Sequence, residues 1–126
     1  MVSKLEFLCD AIAEYTGSHD PRSDAYRMRN PLALRHTRFE KETGKLKVGE
    51  LREYKSWVNG YESALFDLRA KCSGKSQSGL TEYSSIADLT KFYGLNGSTA
   101  ENVADFLSVA LEAKITRDTK LFVFVR

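Results

Sequence analysis

The chain has 126 residues and a net charge of +2, and 42% of its residues are hydrophobic and 29% charged. This length and balance predict one ordinary soluble domain over residues 1–126 with a single hydrophobic core. The small net charge excludes a whole-surface footprint for nucleic acid or anionic lipid, so any basic surface must be local. The N-terminal stretch "MVSKLEFLCDAIAEY" has acids inside its apolar pattern, which is not typical of a signal peptide or a membrane span. We therefore expect a chain that is made in the cytoplasm and has no membrane span.

The chain has two cysteines, Cys9 and Cys72, which are far apart in the sequence. Neither belongs to a C-x-x-C pair or lies beside a set of histidines, so the spacing does not indicate a metal site. Cys9 falls on the apolar face of the first predicted helix and Cys72 near the end of a later one. This placement favours buried free thiols over a disulfide or a nucleophile. We expect neither a metal nor a cofactor.

The first predicted helix begins at a cap residue, Ser3, and ends at Gly17, which suits the left-handed exit of a helix. Its apolar face follows the i, i+3, i+4 pattern through Leu5, Leu8, Cys9, Ile12 and Thr16. The next segment, "SHDPRSD", predicts a turn at Pro21, and a short helix follows in "SDAYRM". Pro31 ends that helix because it pushes Asn30 toward extended backbone geometry.

A short β structure is predicted in the stretch "HTRFEKETGKLKVGELREYKSW". Apolar and polar residues alternate weakly there, and "ETGK" is typical of a turn. The pattern predicts a small, mostly exposed β-hairpin inserted after the N-terminal helices.

Three further helices are predicted in the second half of the chain. One lies in "VNGYESALFDLRAKCSG" and ends at Gly74, and the next, "SSIADLTKFYG", begins at a serine cap and places Ile86, Leu89, Phe92 and Tyr93 on one face. The third opens with a capping box from Ser98 to Glu101, and its inward residues are expected to be Val103, Phe106, Leu107, Ala110 and Leu111. Residues 119–125 form a helical turn or a short strand, and "LFVFV" favours the strand by propensity. The expected fold class is α+β, mostly helical.

The order of several segments resembles a small phage-encoded family of lysozyme-like domains. These segments cover nearly the whole chain and are "AIAEYTG", "RMRNPLALR", "YKSWVNGYESALFDL", "KCSGKSQSGL", "SSIADLTKFYG" and "NVADFLSVAL". The resemblance implies a lysozyme-like fold and a phage virion or cell-wall setting. It also implies cleavage of the bacterial wall glycan by a glutamic acid at the end of the first helix, which protonates the leaving oxygen.

This sequence departs from the family at the position of that glutamate. Thr16 stands there, immediately before Gly17 and five residues ahead of Pro21. A threonine hydroxyl does not deliver a proton near neutral pH as a carboxylic acid does. The family's Asn-Pro turn is present at Asn30 and Pro31, but the glycine and second asparagine that usually follow are replaced by Leu32 and Ala33. The sequence therefore predicts a degenerate site.

Three carboxylates near Thr16 are candidates for a relocated acid. Glu14 lies two residues earlier, and a helical turn of about 100° per residue directs its side chain roughly 200° away from Thr16, toward solvent. Asp20 and Asp24 lie in the following loop and could reach a cleft. The ordinary roles of aspartate in "HDP" and "SDA", as a turn former or a helix cap, are the alternative interpretation.

A basic segment with interleaved aromatic residues follows the first helix. Its basic residues are His19, Arg22, Arg27, Arg29, Arg35, His36 and Arg38. Arginine suits carboxylates and phosphates, so peptide-stem carboxylates, teichoic-type polymers and nucleic acid are acceptable partners. The alternative is a solvated face paired with hairpin acids from "EKE" and "ELRE". The candidate binding residues are Arg27, Arg29, Asn30, Arg35 and Trp57, although core packing is the more typical use of Trp57 and Tyr61.

These observations predict a catalytically inactive, lysozyme-like structural or binding protein of a phage virion, with peptidoglycan or other virion proteins as partners. One alternative is an active peptidoglycan glycosidase, either a lysozyme or a lytic transglycosylase, that uses Asp20, Asp24 or Glu14 as its acid while Thr16 positions water or substrate. The other is a nucleic-acid-associated phage protein that binds through the segment from Arg22 to Arg38.

Overall fold

The computed structural model describes residues 2–36, 39–40, 45–46 and 49–126. Within them the fold is mostly helical, as predicted. The helices are α1 (Lys4–Ala13), α2 (Asp24–Arg27), α3 (Trp57–Cys72), α4 (Ile86–Phe92) and α5 (Thr99–Ala110), followed by a 3₁₀ helix (Leu121–Phe124). In the part of the chain that is described, no helix combines the length and apolar character needed to cross a membrane.

The predicted helix starts at Ser3 and Ser85 are confirmed by side-chain caps. The Ser3 side chain accepts a hydrogen bond from the Glu6 backbone N–H, and the Glu6 side chain accepts one from the Ser3 N–H, which is a capping box. Ser85 and Asp88 form the same arrangement at α4. Gly17 has a φ of 84°, but it lies in the turn beyond α1, which ends at Ala13, so the prediction that Gly17 ends this helix is wrong.

The β structure in the described residues is limited to two short strands. β1 (Phe39–Glu40) pairs antiparallel with β2 (Lys45–Leu46), and Arg35 forms an isolated bridge with Leu51. Most of the turn that was predicted in "ETGK" falls in residues 41–44, which lie outside the described residues. The β-hairpin, and with it the lysozyme-like arrangement of the fold, therefore stays a prediction.

The core forms around α1, which packs against α3, α5 and the 3₁₀ helix, while α4 packs against α5. The largest fully buried side chains are Leu8, Ile12, Leu32, Leu68, Ile86, Leu89, Leu107 and Leu121. Burying apolar side chains of this size contributes about 1.5–3 kcal/mol each to the free energy of folding. Cys9 and Cys72 are buried and free, and burial raises the pKa of each thiol to about 12. The prediction of two buried thiols is confirmed.

Two details of the predicted α5 are wrong. Ser98 makes no side-chain capping bond, because its own backbone is already helical and the Asn96 side chain instead accepts from the Ser98 N–H at 3.2 Å. Phe106 was expected to face inward, but it is 46% exposed. Val103 and Leu107 occupy the buried face of this helix, as predicted.

The "LFVFV" segment was predicted to form either a helical turn or a short strand. It forms the helical turn, although the propensities of its residues favour a strand. Leu121 and Phe124 are buried in the core. The Leu121 N–H donates to the Ser84 carbonyl at 2.9 Å, and the Phe122 N–H donates to the Glu82 carbonyl at 3.0 Å. Packing and these bonds override the strand propensity of the aromatic and β-branched residues.

Gly60, in the first turn of α3, lies against the chain that follows α2. A Cβ on Gly60 would lie 1.9 Å from the Arg29 carbonyl oxygen, so one of the two backbones must move when a side chain is added.

We expect Gly60→Ala to lower the free energy of unfolding by about 2 kcal/mol, even though alanine is a better helix former than glycine by about 1 kcal/mol. Urea denaturation measures this change in the free energy of unfolding. Gly97→Ala is the matched control, because no atom lies within 4 Å of its Cβ. Equal stability of Gly60→Ala and the wild type would contradict the close approach.

Candidate functional site

Thr16 lies beyond the end of α1 rather than on it. The helix ends at Ala13, and Thr16 is half-buried in the turn that follows. The Thr16 Oγ1 lies 2.6 Å from the Pro31 carbonyl oxygen and 3.1 Å from the Ala13 carbonyl oxygen, so its single hydrogen is engaged by these two acceptors. The side chain therefore ties the end of α1 to the Asn30–Pro31 turn. The expectation that Thr16 continues the apolar face of the helix is wrong.

The three candidate acids near Thr16 are each paired with a basic side chain. Glu14 Oε1 lies 3.3 Å from His19 Nδ1, with the Glu14 side chain 61% exposed. Asp24 pairs with Arg27 across one turn of α2 and is equally exposed.

Asp20 has a carboxyl whose pKa is lowered by its contacts with Arg22. It accepts from the Arg22 guanidinium at 3.1 Å and from the Arg22 backbone N–H at 3.0 Å, and these bonds lower the pKa of its carboxyl. A general acid needs a raised pKa, so the surroundings of Asp20 act in the opposite direction.

Asn30, a predicted binding residue, is fully buried and holds its own loop together. Its Nδ2 donates to the Leu34 carbonyl at 2.8 Å and to the Arg52 carbonyl at 2.9 Å. Its Oδ1 accepts from the Leu34 N–H at 2.9 Å. The amide thus bridges the turn after Pro31 to the chain that leads into α3. Both of its donor hydrogens are engaged, so the structure places it as a support of this loop.

The described arginines of the basic segment contact their own chain, and Arg38 lies outside the described residues. Arg29 Nη1 donates to the Tyr54 carbonyl at 3.3 Å, and Arg35 Nη1 donates to the Gly49 carbonyl at 2.6 Å. The ion pairs described for the segment use acids from inside or just before it, at Glu14, Asp20 and Asp24. The acids of "EKE" lie outside the described side chains, so pairing with them stays a prediction.

Trp57 is exposed, against the expectation that it packs in the core. It is the first residue of α3 and is 41% exposed. Its ring meets Tyr26 edge-on, with the centroids 5.7 Å apart, and Tyr26 is 39% exposed. Tyr61 is half-buried, and its hydroxyl donates to Asp10 Oδ1 at 3.1 Å. The Tyr26–Trp57 pair is thus an aromatic surface beside Arg27, of a kind that can stack on a flat ligand face.

The structure has a second candidate site that the sequence analysis missed, and we call it the polar cleft. It is a cavity of about 720 Å³ between the loop after Pro31, the chain around Arg52, and helices α3 and α4. The side chains that give it its chemistry are Arg35, Arg52, Asp67, Lys71, Phe92 and Tyr93. Its volume lies within the range of small-molecule sites, about 300–1,000 Å³.

A hydrogen-bonded cluster forms one wall of the polar cleft. The Tyr93 hydroxyl donates to Asp67 Oδ2 at 2.7 Å, and Lys71 Nζ donates to the same oxygen. Lys71 is only 4% exposed, and its ammonium lies 4.6 Å from the centroid of the Phe92 ring and 4.8 Å from that of Tyr93. Burial lowers the pKa of Lys71, which the charge of Asp67 opposes, and burial also raises the pKa of Tyr93.

One signal in the sequence could have indicated this cluster. Lys71 stands three and seven residues after Leu68 and Ala64, which puts a charged residue on the buried face of α3. A lysine on an apolar face needs a partner, and Asp67 is the acid one turn before it.

Comparison of the chain with family models, with curated proteins and with solved structures found no match. In the described residues no group of three or more histidine, cysteine or acidic side chains is arranged to hold a metal ion. The candidate functional features of the described residues are the Thr16 turn, the Tyr26–Trp57 surface and the polar cleft.

Proposed function

We propose that this protein is a lysozyme-like structural or binding component of a phage virion that contacts the bacterial wall and does not cleave its glycan. The observation that carries the proposal is the Thr16 turn. Where the resembled family has its catalytic glutamate, this chain has a hydroxyl whose hydrogen is engaged by the carbonyls of Pro31 and Ala13.

The chemistry of glycoside cleavage supports an inactive domain. The leaving oxygen must receive a proton from a carboxylic acid that is still protonated near neutral pH, which requires burial or a neighbouring negative charge. Glu14, Asp20 and Asp24 have the opposite surroundings, since each is paired with a basic group and their side chains are 61%, 43% and 61% exposed. An active glycosidase with a relocated acid would need one of these carboxyls to leave its basic partner.

Wall binding is supported by the Tyr26–Trp57 surface. Two exposed aromatic rings at an edge-to-face angle present apolar faces, and sugar rings stack on such faces. The adjacent Arg27 and Arg29 supply positive charge for the carboxylates of the wall peptides. A nucleic acid would need the same arginines to bind its phosphates.

The experiment combines glycan turnover with sedimentation of the protein on purified peptidoglycan. We expect the wild type to release no soluble sugar and to sediment with the walls. Trp57→Ala should weaken sedimentation about tenfold, which corresponds to the loss of one stacking contact of about 1.4 kcal/mol. Phe106→Ala is the matched control, because Phe106 is 46% exposed on the outer side of α5. It should sediment as the wild type does.

Two further variants separate an inactive domain from a relocated acid. Thr16→Glu restores a carboxyl at the family position, and a gain of turnover in that variant would support loss of the acid. If the wild type already releases sugar and the double change Asp20→Asn with Asp24→Asn abolishes this, the acid has moved and the proposal is wrong. Failure of the wild type to sediment would remove the wall as a partner.

A further inference from the structure

The polar cleft has more positive than negative charge. Among the described residues that line it, Arg35, Arg52 and Lys71 are cationic and Asp67 is the one carboxylate. A shallower cavity of about 600 Å³ adjoins it, and the charged residues this cavity adds, Lys75 and Glu62, are of opposite sign. Of these two cavities, the polar cleft is the one with an excess of positive charge.

Asp67 neutralises Lys71 rather than the arginines. Its Oδ2 accepts from both Lys71 and Tyr93. The hydrogen bonds described for the two guanidinium groups go to neutral oxygens, from Arg35 Nη1 to the Gly49 carbonyl at 2.6 Å and from Arg52 Nε to the Arg35 carbonyl at 3.2 Å. A guanidinium has five N–H donors, and each of these described bonds uses one of them.

The cations of the cleft also act on one another. The positive charge of Arg52 lowers the pKa of Lys71, in the same direction as the burial of that lysine. Like charges that face a partly enclosed space repel each other more strongly than they do in water. An anion held between Arg52 and Lys71 would replace this repulsion with attraction.

The rest of the cleft is lined by both polar and apolar residues, and its polar residues are Ser76, Gln77 and Ser78. The rings of Phe92 and Tyr93 lie on one side, and Ala33 and Leu34 belong to the loop on the other. We infer that the polar cleft binds a small molecule in which a carboxylate or phosphate is attached to a flat apolar group. The oxyanion lies between Arg35, Arg52 and Lys71, and the apolar part lies against the Phe92 and Tyr93 rings. This inference does not depend on the proposed wall binding, since it uses neither Thr16 nor the Tyr26–Trp57 surface.

The geometry of the donors explains why an oxyanion is the ligand class. Guanidinium groups bind carboxylate and phosphate with two parallel N–H donors, and an ammonium adds a point charge. A neutral ligand would leave the net positive charge of the cleft as it is. An oxyanion accepts from them and neutralises their excess charge.

The test is calorimetric titration of the full chain, at constant ionic strength, with benzoate, phenyl phosphate and neutral benzyl alcohol. We expect saturable binding of at least one of the two anions and none of benzyl alcohol. Whichever anion binds more tightly identifies the oxyanion. Arg52→Gln should weaken binding about tenfold or more, because it removes charge-assisted hydrogen bonds. Arg69→Gln, which removes the same charge from the exposed side of α3 outside the cleft, should leave binding unchanged.

Circular dichroism and urea denaturation of each variant exclude loss of folding as the cause of weaker binding, and Arg35→Gln replaces Arg52→Gln if the latter is unfolded. Any one of three results would overturn the inference. The first is that neither anion saturates the wild type, and the second is that benzyl alcohol binds as tightly as benzoate. The third is that Arg69→Gln weakens binding as much as the cleft variants do.

Discussion

Asn30→Ala is expected to lower the free energy of unfolding by about 4 kcal/mol, the largest effect predicted for this chain. The variant removes the Asn30 side chain, which is 0% exposed, from the Leu34 N–H and the Arg52 carbonyl. It also removes one of the two donors to the Leu34 carbonyl, which keeps the Arg52 N–H at 2.9 Å. Each buried polar group that loses its hydrogen bond costs about 1–3 kcal/mol. Urea denaturation followed by circular dichroism measures the change.

Two other variants test the cause of this loss. Asn102→Ala removes an exposed asparagine from α5 and should change stability by less than about 0.5 kcal/mol. Asn30→Asp keeps the size and the acceptor but replaces the donor Nδ2 with an oxygen that faces two carbonyls, so we expect it to be about as destabilising as Asn30→Ala. A stable Asn30→Asp variant would show that the two carbonyl contacts contribute little.

Asp67→Asn is expected to lower the free energy of unfolding by about 3 kcal/mol. It removes the carboxylate beside a lysine whose side chain is 4% exposed, and breaking a buried ion pair from one side costs about 3–5 kcal/mol. We take the lower end because the Asp67 side chain is 27% exposed, so water reaches the pair. Chemical denaturation at pH 7 gives the value.

The double variant Asp67→Asn with Lys71→Met distinguishes an uncompensated charge from lost packing. It should be more stable than Asp67→Asn alone, because methionine fills the space of the lysine stem without a charge. If the double variant is the less stable of the two, the buried ammonium is not the source of the loss.

The pH dependence of Asp67→Asn provides an independent check. Burial makes the folded protein bind the Lys71 proton more weakly than the unfolded chain does. Stability therefore rises as the pH increases from the folded pKa toward the ordinary pKa of lysine. Asp67 opposes this lowering of the pKa, so its removal moves the start of the rise to lower pH. A variant whose stability falls with pH over this window would contradict the assignment to Lys71.

The sequence predicts the helices well because their ends are determined locally. Ser3 and Ser85 cap through a side chain that reaches its own first turn, and Gly74 adopts positive φ directly after the C-cap of α3. Gly17 also has positive φ, but it lies beyond the C-cap of α1, Glu14. The exception at Ser98 is also local, since Asn96 two residues earlier accepts the Ser98 N–H in its place. Asn96 and Ser98 are both typical capping residues, and the sequence pattern does not show which of them forms the capping bond.

The candidate site was harder to predict because its contacts join distant segments. The role of Thr16 depends on the Pro31 carbonyl, and that of Asn30 depends on the Arg52 carbonyl. The helical pattern of the sequence gives no information about these distant partners. It therefore predicts that Thr16 belongs to the first helix, although that helix ends at Ala13. The polar cleft takes its charges from the loop at Arg35, from Arg52 and from α3, and no periodicity in the sequence relates these three places.

The central position of α1 has a consequence for synthesis on the ribosome. This helix is made first, yet the elements that cover it include α5 and the 3₁₀ helix at Leu121–Phe124. At about 5–20 residues per second, those partners are made roughly 5–20 s after α1. During that interval the apolar face of α1 has no partner from them, and Cys9 on this face, whose thiol is inert in the folded protein, is open to oxidants and alkylating reagents. Nascent chains stalled before Thr99 should therefore react at Cys9, whereas the completed protein should not.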